Sequence, residues 1–415
     1  MEMRMQSAHA NRSPAAQANG DAQQSAAPFR FLDHVALRTL LSPFSEEEFR
    51  TQYWERKPLV ISRNNPGYYG DLFTLEDFDE TIMRAPHYVK VAEATQNKTA
   101  RHHGTSAKSR ERVLADMREG STLVLDGVQQ SNPNLGLMCR ELSKELGYGF
   151  QTNLYLTPPN GKGFTPHWDN HDVFVLQVVG SKHWKVENER RLLPEKEAVT
   201  PEEDRAFKGE VTSFTLEQGD MVYIPRGFLH AAECGSESSL HITAGIYPSE
   251  WCDLLVAIVN AATRQDEKLR AFLPMGFLST GREEVADRVM AALRGMIDRE
   301  FLQQVVDMYR NDIVKGFPLD VSGQVTSFFR PAPLTLDDQV RPRAGTVYTI
   351  NTAADSVSIY VGARTVTFPG FFGAALDFAL KTPRYAVRDL PGDLEDEEKL
   401  AFAERVMQEG LIVRK

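Results

Sequence analysis

Residues 172–187 have the sequence DVFVLQVVGSKHWKVE, in which an apolar run, a Gly-Ser pair and a second β-prone run follow one another. β-Branched and aromatic residues favour strands, and Gly-Ser between two such runs predicts a hairpin. Similar segments bounded by turn residues lie on both sides: NLYLT at 153–157, VTSFTLEQGD at 211–220, MVYIPRG at 221–227 and SLHITAGIY at 239–247. Short strands at this spacing predict an antiparallel sandwich or barrel.

An H-x-D tripeptide, His167-Trp168-Asp169, precedes this segment, and His230 follows 63 positions after His167. Residues two apart on a strand point to the same face, so His167 and Asp169 would present an imidazole and a carboxylate side by side. Two histidines and one carboxylate form the facial triad of non-haem Fe(II) oxygenases, which leaves positions open for co-substrate and oxygen. An H-x-D tripeptide also occurs by chance. The spacing alone therefore leaves two interpretations open, a metal site and a chance occurrence.

Lys182 lies at the predicted hairpin, fifteen positions beyond His167, and would place a cation near such a metal. A dicarboxylate co-substrate needs a cationic anchor at the end remote from the metal. The alternative is a solvated hairpin lysine. His171 and His183, which flank the motif, are predicted to be packed or surface side chains. His241 alternates with Ile242 on a predicted strand, which favours core packing, with lining of the barrel as the alternative.

Composition excludes several classes of protein. The 415 residues include 47 Lys+Arg and 57 Asp+Glu, a formal net charge of −10, which argues against a protein that coats nucleic acid. Three cysteines at no metal-ligand spacing argue against a disulfide framework and a cysteine-ligated zinc site, and favour a reducing compartment. No apolar run approaches the roughly 18 residues of a membrane span. We therefore expect a soluble, cytoplasmic protein with no membrane partner.

The chain divides into four predicted regions. Residues 1–27, rich in Ala, Gln and Ser, predict a disordered tail, and residues 28–250 contain the strand-rich segment with its motif. Residues 251–324 show helical periodicity, with apolar faces that could pack within one chain or across a two-fold interface, and residues 325–415 predict a compact α+β module. Residues 95–112 are locally basic and nearly free of apolar side chains, which predicts an exposed loop, either solvated or in contact with an anionic partner.

Several segments carry a likeness to a known family: HWDNHDVFVLQ at 167–177, GSKHW at 180–184, GDMVYIPRG at 219–227, His230, and YWERKPL at 53–59. In these segments the sequence resembles the JmjC-type ribosomal oxygenases. The resemblance implies an α+β fold in which a double-stranded β-helix, the cupin or JmjC barrel, is followed by a helical dimerisation region and a C-terminal winged-helix-like module.

The resemblance also implies a site. Fe(II) would be held by His167, Asp169 and His230, with 2-oxoglutarate and O₂ as co-substrates. Trp168 stands where the family more often has Tyr or Phe, and Phe228 stands where the family frequently has Trp. These two departures bear on substrate shape rather than on the metal. Further residues would hold 2-oxoglutarate or line its pocket: Lys182, Asn153, Tyr155 and Thr243.

The activity that the resemblance implies is hydroxylation of a protein side chain, with Arg or His of a ribosomal protein as the target. An acidic enzyme would attract such a basic protein. Alternatives are a JmjC-type lysine demethylase, a hydroxylase of a peptide or small molecule, and a catalytically inactive cupin scaffold. The family also implies a homodimer. No direct DNA binding is expected, because residues 334–415 carry 10 Lys+Arg against 12 Asp+Glu.

Overall fold

The computed structural model describes residues 29–84, 88–92, 99–103, 107–161, 163–295, 298–329 and 332–415. The tail predicted at 1–27 lies outside these described residues. The chain separates into two compact units, Met1–Tyr247 and Pro248–Lys415. Among the described residues, no helix combines the length and the apolar character that crossing a bilayer requires.

The secondary structure runs from a helical start through a strand-rich middle to a mixed end. The helices are α1 (Leu37–Leu41), α2 (Glu46–Glu48), α3 (Leu75–Arg84), α4 (Ala107–Arg118), α5 (Pro133–Leu146), α6 (Trp251–Gln265), α7 (Arg282–Gly295), α8 (Arg299–Lys315), α9 (Gln324–Phe329), α10 (Gly373–Lys381) and α11 (Asp396–Gln408). The strands are β1 (Leu59–Ile61), β2 (Tyr88–Ala92), β3 (Thr99–His103), β4 (Thr122–Leu125), β5 (Gly149–Thr157), β6 (Asp172–Gly180), β7 (Lys182–Glu187), β8 (Val211–Leu216), β9 (Met221–Ile224), β10 (His230–Glu233), β11 (Ser239–Tyr247), β12 (Gln339–Pro342), β13 (Tyr348–Thr352), β14 (Ser356–Val361), β15 (Arg364–Pro369), β16 (Tyr385–Ala386) and β17 (Ile412–Arg414).

Two antiparallel sheets build the first unit. In the described part of the chain, eight strands hydrogen-bond in the order β1-β9-β6-β11-β5-β4-β2-β3, and three more in the order β10-β7-β8. The hairpin predicted at Gly180-Ser181 is therefore wrong, since β6 pairs with β9 and β11 whereas β7 pairs with β8 and β10. Gly180, with a φ of +63°, turns the chain from one sheet to the other. A Cβ there would meet the carbonyl oxygen of Ser238 at 2.0 Å.

Strand β6 is buried on both faces, which explains its continuous apolar run. Phe174 and Leu176 pack against the N-terminal helices. Val173 and Val175 point the other way and pack against Trp184 of the small sheet. Successive side chains of β6 point alternately into these two apolar cores. All four of these β6 residues are therefore buried, which requires a sequence without polar interruption over this run.

The prediction of one loop over residues 95–112 is wrong for part of this range. Residues 99–103 form the edge strand β3, which pairs with β2, and α4 begins at residue 107, so the prediction of a loop was wrong for both. An edge strand tolerates charged side chains because they discourage further strand pairing. Residues 95–98 and 104–106 lie outside the described residues.

The second unit contains helices α6 to α9 and a mixed segment with its own core. Strands pair in the orders β16-β12-β17 and β13-β14-β15 in the described chain. One apolar cluster is formed by buried side chains between Leu334 and Ile412, some of which belong to α10 and α11. Gly410, with a φ of +77°, follows the end of α11, where a glycine readily adopts this left-handed conformation.

Candidate metal centre

The backbone brings His167 and His230 together. The amide of each donates to the carbonyl of the other, at N–O distances of 3.0 and 2.8 Å, in an isolated antiparallel bridge. His167 thus lies in a single bridge rather than in a regular strand, while His230 begins β10. Their ring centroids are 4.5 Å apart. One pair of peptide groups therefore holds these two predicted ligands side by side.

Asp169 completes a triangle with the two histidines. Its backbone carbonyl accepts a hydrogen bond from the amide of Gly227 at 3.0 Å. Its Oδ1 lies 3.9 Å from Nε2 of His167, and its Oδ2 lies 3.7 Å from Nε2 of His230. One ligand atom from each of the three side chains lies within 4.8 Å of the other two. This spacing suits three ligands on one face of a single ion.

The second nitrogen of each imidazole faces a backbone carbonyl. Nδ1 of His167 lies 2.9 Å from the oxygen of Thr165, and Nδ1 of His230 lies 3.0 Å from the oxygen of Phe228. A carbonyl can only accept, so in each ring Nδ1 carries the proton and Nε2 keeps a lone pair. Both histidines are thereby oriented to bind a metal through Nε2.

The charge states of His230 and Asp169 also suit a metal. Burial, together with neighbouring His167, lowers the pKa of His230 to about 4, so the ring is neutral at physiological pH. Burial opposes the ionisation of Asp169, but His230 and His167 outweigh it and hold the pKa of this carboxyl below its usual value. Two neutral imidazoles and one carboxylate are the donor set of non-haem iron sites.

Lys182 begins β7 and is only 2% exposed, so it is not a solvated hairpin lysine. Its Nζ donates to Oγ1 of Thr157 at 2.9 Å, and no carboxylate among the described residues forms an ion pair with it. Burial lowers the pKa of Lys182 to about 8. A buried ammonium without a counter-ion is costly, and an anionic ligand would offset that cost.

A cavity between the two sheets contains both Lys182 and the metal ligands. Tyr155 of β5 and Thr243 of β11 line it, as predicted pocket residues should. Asn153 is not among the described residues that line the cavity. Its Oδ1 accepts hydrogen bonds from the amide of Gly127 at 3.0 Å and from Nε2 of Gln151 at 3.1 Å. The structure therefore brings together all the predicted site residues except Asn153, which lies on the same strand as Tyr155.

Two buried polar atoms in the cavity wall have no hydrogen-bond partner among the described residues: Nε1 of Trp184 and Nδ1 of His241. The prediction for His241 was core packing, and the side chain is indeed 3% exposed, stacked on Tyr155 with centroids 4.8 Å apart. It also belongs to the cavity wall, which its alternation with Ile242 on β11 allowed. Unsatisfied buried polar atoms are rare in proteins, and each needs an explanation such as a ligand or an ion. A buried cation with polar atoms around it fits a dicarboxylate.

A carboxylate ligand of Lys182 is expected to bind in a pH-dependent way. As pH rises through about 8, the ammonium form is lost, and with it the charge that attracts a carboxylate. We expect the dissociation constant for 2-oxoglutarate, measured by calorimetry with Mn(II) present, to be flat near neutral pH and to rise about tenfold per pH unit above that pKa. Lys182→Arg, which stays charged, serves as the control and should give a flat profile. A wild-type profile as flat as that of the variant would contradict this assignment.

Comparisons with known proteins agree with this geometry. Residues 130–254 match the family model of the JmjC domain. A chicken protein named ribosomal oxygenase 1 is 34% identical over 267 residues, which cover 60% of this chain and 44% of that protein. An Aedes aegypti protein named bifunctional lysine-specific demethylase and histidyl-hydroxylase NO66 is 28% identical over 95% of this chain and 70% of that protein. The chain thus spans less than half the length of the chicken relative.

Solved structures show a similar fold. Escherichia coli ycfD aligns with a TM-score of 0.58 at 16% identity, over 90% of this chain and 98% of that chain. A structure of the E. coli ribosomal oxygenase YcfD in complex with cobalt and 2-oxoglutarate aligns with a TM-score of 0.56 at 17% identity, over 90% and 99% of the two chains. At such identities the likeness shows the fold alone, a JmjC or cupin-type fold with mixed α and β content.

Proposed function

Because the chain contains a JmjC domain and is related to proteins named ribosomal oxygenase 1, as its motifs predicted, we propose that it is an Fe(II)- and 2-oxoglutarate-dependent oxygenase that hydroxylates a protein side chain. One observation carries this proposal. His167, Asp169 and His230 lie in the same cavity as the buried Lys182. A facial triad needs a co-substrate to complete it, and the lysine supplies the anchor for a dicarboxylate.

In this mechanism the protein positions the reactants. His167, Asp169 and His230 hold Fe(II), which when bound supplies the redox centre for oxygen activation at the expense of 2-oxoglutarate. Lys182 binds the far carboxylate of 2-oxoglutarate, and Thr243 lies in the same wall. Nδ1–H groups of both histidines stay bonded to backbone carbonyls, so their Nε2 atoms keep their direction throughout. The reaction consumes one O₂: one oxygen atom enters the succinate that forms with CO₂ from 2-oxoglutarate, and the other is inserted into a C–H bond of the substrate.

The substrate is an arginyl or histidyl side chain of a ribosomal protein in this proposal. The net charge of −10 favours association with a basic protein. Local charge supports the same choice, since the carboxylate of Asp126, which is not a metal ligand in this proposal, adds to the burial that raises the pKa values of Tyr155 and Tyr247. Burial is the larger cause in each case. Carboxylates and aromatic rings in one region form a suitable environment for a cationic side chain.

A lysine demethylase is the second candidate, because the name of the Aedes aegypti relative includes that activity. Hydroxylation of an N-methyl group leads to its loss, so the same metal centre serves both reactions. The products differ in mass, by one added oxygen or by one lost methylene group. A hydroxylase of a peptide or small molecule and an inactive scaffold are the remaining alternatives.

Succinate formation tests the proposed class of reaction. Purified protein with Fe(II), 2-oxoglutarate and ribosomal protein should release succinate, and release should depend on the ribosomal protein. An inactive scaffold would release none. Succinate released equally with and without the protein substrate would favour a small-molecule hydroxylase instead.

We further propose that residues 251–324 form a dimerisation region. Trp251, Leu255 and Val259 are 81%, 58% and 46% exposed and repeat at helical spacing along α6. On α7, Val289 and Leu293 are 52% and 44% exposed. Apolar stripes of this kind are typical of protein interfaces.

Sedimentation equilibrium tests this proposal. We expect the wild type to sediment at twice its chain mass of 46.7 kDa. Leu255→Glu combined with Val259→Glu places charge in the stripe and should give a folded monomer, whereas the exposed, polar control Lys268→Glu should remain dimeric. A monomeric wild type at micromolar concentration would contradict the proposal.

Residues 325–415 are proposed to be a winged-helix-like module that does not bind DNA directly. Their apolar cluster supports a separate module, and the excess of acidic over basic residues at 334–415 opposes phosphate binding. We place the reaction in the cytoplasm, because Cys139, Cys234 and Cys252 are all free, as a reducing compartment favours.

A further inference from the structure

The segment between β7 and β8, residues 188–210, closes on itself through one ion pair. We call it the β7–β8 excursion. Arg191 binds Glu187 through two hydrogen bonds of 2.7 and 2.5 Å. Oε1 of Glu187 also accepts from the amides of Lys208 and Gly209 at 2.7 and 3.1 Å. The start and the end of the excursion are therefore joined at Glu187, whose pKa this set of bonds lowers to about 2, with the Arg191 hydrogen bond as the largest cause.

The excursion reaches back to the H-x-D tripeptide through Thr200. The amide of Trp168 donates to Oγ1 of Thr200 at 2.9 Å, and the same hydroxyl donates to the carbonyl of Trp168 at 3.0 Å. Both residues are buried, with Thr200 6% and Trp168 4% exposed. Trp168 lies outside every named strand, so no ladder of backbone hydrogen bonds holds its peptide groups. One hydroxyl satisfies both of them.

The excursion also contacts the residues on either side of Trp168. The side-chain amide of Asn170 donates to the carbonyl of Lys196 in the excursion. The guanidinium of Arg205 lies 3.5 Å from Oγ1 of Thr165 and 3.4 Å from the carbonyl of Thr200. The excursion therefore contacts the chain before, between and after the two ligands His167 and Asp169.

We propose that Thr200 is a positioning residue for the metal centre. The direction of the His167 and Asp169 side chains depends on the peptide groups of Trp168, which join them. By holding the amide and the carbonyl of Trp168 at once, the Thr200 hydroxyl fixes the rotation of this segment. Both ligands then face one point before the metal arrives, which reduces the ordering that binding requires. This inference rests on the proposed metal site, although Thr200 itself binds no metal.

Two substitutions at Thr200 separate the hydroxyl from the shape of the side chain. Thr200→Val keeps the shape and removes the hydroxyl, and Thr200→Ser keeps the hydroxyl. The matched control is Thr215→Val on β8, an exposed threonine whose hydroxyl lies 3.3 Å from Nδ1 of His183. We expect Thr200→Val to weaken Mn(II) binding, measured by calorimetry, about 10- to 100-fold, the usual cost of losing support around a metal ligand. Thr200→Ser and Thr215→Val should bind Mn(II) as the wild type does.

A second measurement keeps the result interpretable if Thr200→Val is unstable. The rise in melting temperature on adding Mn(II), taken for each variant relative to its own metal-free form, reports affinity separately from general stability. We expect a smaller rise for Thr200→Val, and also for Thr200→Ala, than for Thr200→Ser. Equal Mn(II) affinity in all variants, or an equal loss in Thr200→Ser and Thr200→Val, would overturn the positioning role. A wild type that binds no divalent metal would instead overturn the proposed function, and the role of Thr200 with it.

Discussion

Asp169→Ala is expected to abolish substrate-dependent succinate release. Asp169 is the one carboxylate in the triangle of ligand atoms, with its oxygens 3.9 and 3.7 Å from Nε2 of His167 and His230. Without it, two imidazoles remain, and they provide neither the negative charge nor the third position of a facial triad. We expect affinity for Fe(II) or Mn(II) to fall roughly 100-fold or more, and turnover to fall to the level of metal-free enzyme.

His183→Ala is the matched control for this prediction. His183 follows Lys182 on β7, so its side chain points to the opposite face of the strand. Its Nδ1 lies 3.3 Å from the hydroxyl of Thr215. The control should bind metal and release succinate as the wild type does. Unchanged turnover in Asp169→Ala would remove the triad from the mechanism.

Lys182→Met is expected to raise the KM for 2-oxoglutarate while leaving the metal affinity unchanged. Methionine preserves the unbranched chain but removes the ammonium that lies buried in the cavity, 2.9 Å from Oγ1 of Thr157. Removing one partner of a buried charged pair costs about 2–5 kcal/mol, which corresponds to roughly a 30-fold or larger loss of affinity. Calorimetry with Mn(II) and then with 2-oxoglutarate measures the two affinities separately.

Lys185→Met is the control for the lysine substitution. Lys185 lies on the same strand but is half-exposed, and its Nζ pairs with Oε1 of Glu233 at 3.6 Å. Surface pairs of this kind contribute little, so co-substrate binding should not change. If Lys182→Met bound 2-oxoglutarate as tightly as Lys185→Met does, Lys182 would not be the anchor.

The central strand β6 of the first unit was predictable because its apolar run is long and nearly uninterrupted. In β6, Phe174 and Val175 serve two different cores, and burial on both faces leaves a strong signal in the sequence. The pairing of the strands was harder to predict from the sequence. The turn at Gly180 looks like a hairpin locally, yet the strands on either side of it enter different sheets. Strand partners depend on contacts distant in sequence, which a local pattern does not contain.

The edge strand β3 was missed for a related reason. It contains Arg101 and two histidines, and such polar residues resemble a loop when only composition is considered. At a sheet edge the same residues are compatible with a strand. Composition therefore distinguishes buried strands from loops better than it distinguishes edge strands from loops.

For the site, the metal triangle and Lys182 could be predicted, whereas the residues that support them could not. The H-x-D spacing places two ligands, and the family resemblance implies the third. Thr200 gave no signal, because a single threonine in a segment without periodicity resembles any other loop residue. His241 was ambiguous, since a buried strand position serves equally for core packing and for a cavity wall.

Mass spectrometry of ribosomes tests the central claim most directly. Ribosomes from a host lacking this protein are incubated with the wild type, Fe(II) and 2-oxoglutarate, and in parallel with Asp169→Ala. We predict one added oxygen on a specific Arg or His side chain of a ribosomal protein, formed with the wild type and absent with the variant. A loss of one methylene group instead, or identical spectra from the two reactions while succinate is released, would contradict the proposed protein hydroxylase.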